Sequence, residues 1–183
     1  MKRLLTTLVV LTGLFGGTGA VWADAQSDFK KGMAAYGGNR LAEAVTWTRK
    51  AAEQGYADAQ SFLGLLYYGG EGVTQDYAEA AKWFRKAAVQ GDADTQFNLG
   101  YMYSNGEGVS QDTIAAHMWF NIAAANGANN GIAFYAGDER DIVEKMLSAG
   151  QLEKANERAK RCKDSDYKDC EAKAKSWWQK LTD

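Results

Sequence analysis

Few residues in this chain could carry out a reaction. His117 is its single histidine, Cys162 and Cys170 are its two cysteines, and Glu71 and Glu107 recur in matching glycine-rich stretches. A cysteine beside a histidine can act as an activated thiolate, but no local cysteine–histidine motif of a known kind is present. In an exported chain, two cysteines this close point instead to a disulfide tying the last two helices. Closing so short a loop is worth roughly 2–3 kcal/mol. A metal site needs several ligands at suitable spacing; His117 has none, so it reads as a surface or partly packed side chain. Two carboxylates can divide acid and base roles, yet Glu71 and Glu107 fall in equivalent loops of successive units, where solvated acids are expected. Gly69-Gly70-Glu71-Gly72 lacks the lysine and flanking strand of a phosphate loop. The expectation is therefore no catalytic residue, no metal and no cofactor.

The ends and the charge narrow the setting. Met1-Lys2-Arg3 is a basic start, Leu4–Phe15 is apolar, and small residues follow. This reads as a secretory signal peptide over residues 1–23, cleaved near Ala23 or Ala25. The apolar run is too short to span a bilayer comfortably, and no cysteine follows it as a lipid attachment point. The mature chain is expected to be periplasmic or secreted, with no membrane span. Losing Lys2 and Arg3, and no acid, takes the formal charge from −2 to −4. A mildly acidic chain without a basic block lacks the footprint of a nucleic-acid binder. The bases between Lys154 and Lys180 are interleaved with acids and read as a solvated helix surface.

The elements that position these residues repeat. Tyr56–Gly91 and Asp92–Gly127 match at a spacing of 36: Gln60 with Gln96, Leu63 with Leu99, Gly64 with Gly100, Tyr67 with Tyr103, Trp83 with Trp119 and Gly91 with Gly127. Gly70-Glu71-Gly72-Val73 meets Gly106-Glu107-Gly108-Val109 in the same register. A fixed period of this size marks a solenoid built from one supersecondary unit. Upstream, Ala44, Trp47 and Gly55 keep the 36-residue offset, whereas Gly32 and Tyr36 match Gly64 and Tyr68 at 32, so the first unit has lost four loop residues. The organisation is a shortened unit over 24–55, units over 56–91 and 92–127, and capping helices over 128–183. Absence of proline suits a chain made mostly of helices.

Within a unit, Ala59, Leu63 and Tyr67 share one helical face. Gly64 lowers helix propensity, so its recurrence implies close approach of the partner helix. Asp76 opens the second helix as an N-cap, with Glu79 completing a capping box. Ala80, Trp83, Phe84, Ala87 and Ala88 form its apolar stripe. Past Gly127, Ile132–Met146 reads as a helix broken near Gly137. Ser148-Ala149-Gly150-Gln151 reads as a capping box, and a last helix carries Ala172, Trp177, Trp178 and Leu181.

A second stripe runs along the first helices. Phe29, Met33, Tyr36, Leu65, Tyr68, Phe97 and Tyr101 stand about 200° from the buried face. Aromatics concentrate in binding hot spots, so these residues are candidates for a groove. Equally, they suit packing between adjacent units, and both readings stand at this point.

The pattern Ala59, Leu63, Gly64, Tyr67, then Gly70, Gly72, Val73, Asp76, then Ala80, Trp83, Ala87, Ala88, Gly91 resembles the Sel-1-like repeat family, which is related to tetratricopeptide repeats. The second copy differs by Thr95 at the first alanine. The resemblance implies an all-α, α/α superhelical solenoid whose first helices line a concave side. It implies a scaffold, adaptor or regulator that contacts a protein or peptide partner. Some Cys-rich exported members of the family bind or hydrolyse β-lactams, which is the alternative reading. Those members carry a cysteine pair in repeat after repeat, and this chain has only Cys162 and Cys170.

Overall fold

The computed structural model describes residues 17–127, 131–167 and 170. Among these residues there are eight helices and no strand: α1 (Gly17–Gly37), α2 (Leu41–Glu53), α3 (Ala57–Gly69), α4 (Tyr77–Ala88), α5 (Ala93–Asn105), α6 (Thr113–Asn126), α7 (Ile132–Glu144) and α8 (Ala149–Asp164). Helices α1–α2, α3–α4 and α5–α6 are packed hairpins, and each second helix also packs on the next first helix. Helix α6 then supports both α7 and α8.

The hairpins close because glycines end the first helices. Gly70 and Gly106 are left-handed caps at φ 72° and 75°, a conformation that costs glycine nothing. The loops then reach back to the preceding unit. A Cβ on Gly72 would stand 2.5 Å from the Leu41 carbonyl oxygen, and one on Gly108 only 2.1 Å from that of Tyr77. Asp76 and Asp112 then cap α4 and α6, accepting from the Glu79 and Ala115 amides at 2.9 and 3.0 Å. The expected capping box is half formed: the Glu79 carboxylate pairs with Lys82 at 2.7 Å instead. Asp92 caps α5 in the same way, a role not read from the sequence.

The core follows the buried stripe. Leu63, Leu66 and Trp83 anchor one cluster, and Phe84, Leu99, Met102 and Trp119 anchor the next. Trp83 is 7% exposed and Trp119 1%, while Trp47 is half-buried under the Lys31 ammonium, 4.4 Å from its ring centre. Equivalent tryptophans therefore become more enclosed along the stack, because only the later ones are flanked by units on both sides.

Two expectations change from α6 onward. Helix α7 runs unbroken through Gly137. His117 is not at the surface: it is 1% exposed, on α6 beneath α7. Other features stand as read. Ser148 and Gln151 form a full capping box at the start of α8, and Cys162 is bonded to Cys170. The last expected helix, with Trp177 and Trp178, lies outside the described residues.

Candidate binding groove

The second stripe divides into two sets. Met33, Leu65 and Tyr101 occupy equivalent positions on α1, α3 and α5 and remain 42%, 45% and 42% exposed. Phe29, Tyr36, Tyr68 and Phe97 are half-buried between them. Phe29 and Tyr36 pack edge-on to Phe62 of α3, with ring centres 6.1 and 5.1 Å apart. Phe97 packs on Phe120 at 5.6 Å. The stripe is thus partly inter-unit packing and partly open surface. Phe62 is the residue the sequence reading missed; its place three before Leu65 was the available signal.

Between α3 and α5 the open row deepens into a hollow of about 220 Å³ lined by Leu65, Tyr68, Phe84, Phe97, Asn98 and Tyr101. Five of these six are apolar or aromatic, the composition of a small recognition pocket with one amide for orientation.

Hydrogen bonds hold the row in place and repeat with the units. The Tyr36 hydroxyl donates to Glu71 Oε2 at 2.7 Å, and the Tyr68 hydroxyl donates to Glu107 Oε2 at 2.6 Å. Glu71 and Glu107 are therefore not merely solvated loop acids. Each ties its loop to the first helix of the preceding unit. The carboxylate beside Tyr68, together with partial burial, pushes that phenol up to about 12. Tyr36 is raised for the same leading reason.

On the opposite side the joints are again periodic. Arg49 donates to the Tyr67 hydroxyl at 2.6 Å and Arg85 to that of Tyr103 at 3.0 Å. Buried Gln60 and Gln96 donate to the Ala52 and Ala88 carbonyls at 3.0 and 2.9 Å. Gln90 and Asn126 in turn donate to the oxygens of those glutamines, at 2.7 and 2.9 Å. In the first unit the equivalent position is Asp28. It is 3% exposed and accepts from Lys31 and Lys50 at 2.8 and 2.9 Å, which holds its carboxyl below its usual range.

Both cysteines are bonded to each other and buried. His117 stands 3.5 Å from Glu144 Oε2, neither ring nitrogen has a well-formed hydrogen bond, and burial lowers its pKa.

Stacked helix hairpins with an open row of side chains, one per unit, define an α/α repeat scaffold. The chain belongs to the Sel1 repeat family: the family model described as Sel1 repeat matches residues 36–56, 57–92 and 93–127. Such repeats generally serve as protein-interaction scaffolds. The chain is similar to a protective antigen of uropathogenic Escherichia coli with an SLR fold, at 34% identity and TM-score 0.68. That match covers 88% of this chain and 34% of the antigen, so this chain spans about a third of it. It is also similar to a Sel1 repeat protein from Oxalobacter formigenes, at 33% identity and TM-score 0.55, covering 65% of this chain and 96% of that one. No curated protein matches the chain.

Proposed function

We propose that the chain is an exported, non-enzymatic adaptor that holds a peptide or protein segment along α1, α3 and α5. One observation carries this reading: Met33, Leu65 and Tyr101 stay more than two-fifths exposed at equivalent places in three successive units, although burying them would favour folding. The hollow beside Leu65 and Tyr101 supports it. In the bonded state neither Cys162 nor Cys170 offers a thiolate, which weighs against a cysteine-dependent activity. An export address rests on reading residues 1–23 as a signal peptide, and the disulfide fits an oxidising compartment. The similar antigen's description as protective also suits a protein outside the cytoplasm.

The test is crosslinking capture from the native envelope fraction, using wild type and Leu65→Ser with Tyr101→Ser. Both side chains are more than two-fifths exposed, so the double variant should keep its helical circular-dichroism signal and cooperative melt, and lose the captured band. Equal capture by both proteins would reject the groove.

A further inference from the structure

The row of open side chains is embedded in one sign of charge. Helices α3 (Ala57–Gly69) and α5 (Ala93–Asn105) contain no lysine, arginine or histidine. The bases of the second unit sit instead on its second helix, as Lys82, Arg85 and Lys86 on α4, and the third unit's second helix α6 has no lysine or arginine. Asp58 and Asp94 are exposed and lie seven residues before Leu65 and Tyr101, on the same face two turns away. Glu71 and Glu107 mark the other margin through their bonds to Tyr36 and Tyr68. Apolar anchors therefore run between two acidic edges across the second and third units. Lys30, on α1, is the one base in the corresponding stripe of the first unit.

Partial desolvation, and then the charge of Asp92 two residues before it, raise the Asp94 pKa; a cation beside the two carboxylates would relieve that repulsion.

Resting on the groove reading, we infer that the occupant is an extended peptide segment with an apolar residue at about every third position and lysine or arginine between them. The spacing follows from geometry. First helices of successive units meet only through side chains, as Phe29 and Tyr36 of α1 against Phe62 of α3, which puts them at the wide end of the about 8–10 Å between helices in contact. An extended chain advances about 3.3 Å per residue, so about three residues cross each unit. The charge follows from complementarity: a cation beside either margin is attracted, and an acidic segment is repelled from both.

The plain alternative is that Asp58 and Asp94 serve only their helix N-termini, where acids oppose the dipole. Synthetic peptides of about a dozen residues separate the two. One carries leucine at every third position with lysine and serine between; a second has glutamate for lysine; a third has serine for leucine. Binding to the full mature chain is read by fluorescence anisotropy. The lysine peptide should bind at least about tenfold more tightly than the glutamate peptide at low salt, with the ratio shrinking as salt approaches about 0.5 M. Asp58→Asn with Asp94→Asn should bring the ratio close to one. Removing the leucines should abolish binding.

Equal affinity for the lysine and glutamate peptides, or no binding of either, overturns the inference. So does undiminished binding of the leucine-free peptide, which would indicate charge without a groove. A ratio that survives Asp58→Asn with Asp94→Asn, with only the melting temperature lowered, returns those acids to helix capping. If envelope capture still depends on Leu65 and Tyr101 while peptide charge has no effect, the groove stands and its charge preference falls.

Discussion

Gly64 lies against the face of Phe84 so closely that a Cβ on it would stand 2.5 Å from two ring carbons. A Cβ on Gly100 would likewise stand 2.6 Å from the Phe120 ring, and in the first unit one on Gly32 would stand 2.6 Å from the Thr48 hydroxyl oxygen. This is why each first helix accepts a glycine in its middle. The ring fills the space that a methyl would need, so the two helices approach without a gap.

Gly64→Ala should therefore destabilise the chain by about 1–3 kcal/mol through overpacking, despite a helix-propensity gain of about 1 kcal/mol. Gly137 is a control on α7, with nothing within 4 Å of its added Cβ. Gly137→Ala should stabilise by up to about 1 kcal/mol. Urea melts of both variants check this, and a neutral or stabilising Gly64→Ala would contradict the packing argument.

The Tyr68–Glu107 bond has a pH signature. A phenol raised to about 12 in the folded chain contributes stability below its unfolded value of about 10. That contribution disappears as pH climbs from about 10 to about 12. Tyr36, raised by Glu71, acts in the same direction. Tyr68→Phe should lose about 1 kcal/mol at neutral pH, given its partial exposure. The variant should also show a shallower alkaline fall in stability than wild type. Identical slopes above pH 10 would mean the bond does not form in solution.

His117 gives the opposite limb. Its pKa is depressed, first by burial, so the neutral ring is the folded form. Its contribution is complete above the unfolded value of about 6.5 and is lost as pH falls through the lower folded value. Three charged groups of α7 surround it electrostatically: Glu144 and Asp141 favour protonation and Arg140 opposes it. His117→Gln should flatten the stability profile just below pH 6.5. Asp28, whose pKa is depressed by Lys31 and Lys50, acts only below its ordinary 3.8, so the two windows are distinct. Thermal melts across both windows would resolve them; an unchanged slope in His117→Gln would rule out titration of that ring.

The bridge between Cys162 and Cys170 closes the turn that presents Tyr167. Asp166 and Tyr167 both adopt left-handed backbone, at φ 53° and 62°, an uncommon state for side chains of this kind. The Tyr167 hydroxyl meets Asn126 Nδ2 at 2.8 Å, linking the turn to α6. Cys162→Ser with Cys170→Ser should cost roughly 2–3 kcal/mol. Reductant should lower the melting point of wild type and leave the double variant unmoved; equal sensitivity of the two would argue against the bridge.

Much of this architecture is written in the amino-acid order. A period of 36 placed Leu63 with Leu99, Trp83 with Trp119 and Gly64 with Gly100 before any coordinates, because a side chain facing its own hairpin partner meets the same neighbour in every unit. Local signals were equally plain: Asp76, Asp112 and Ser148 cap helices through contacts only three residues away. Only the tertiary structure decided what depends on the adjoining unit. Phe29 and Met33 lie on the same stripe, yet one is covered by Phe62 and the other is open, since periodicity defines a face and not how much of it the next helix covers. Likewise, Glu71 and Glu107 read as loop acids until the preceding Tyr36 and Tyr68 came within hydrogen-bond reach. His117 read as a surface or partly packed side chain until α7 closed over it. Contacts within a unit repeat with the sequence; contacts between units depend on how rigid hairpins stack, which no single residue encodes.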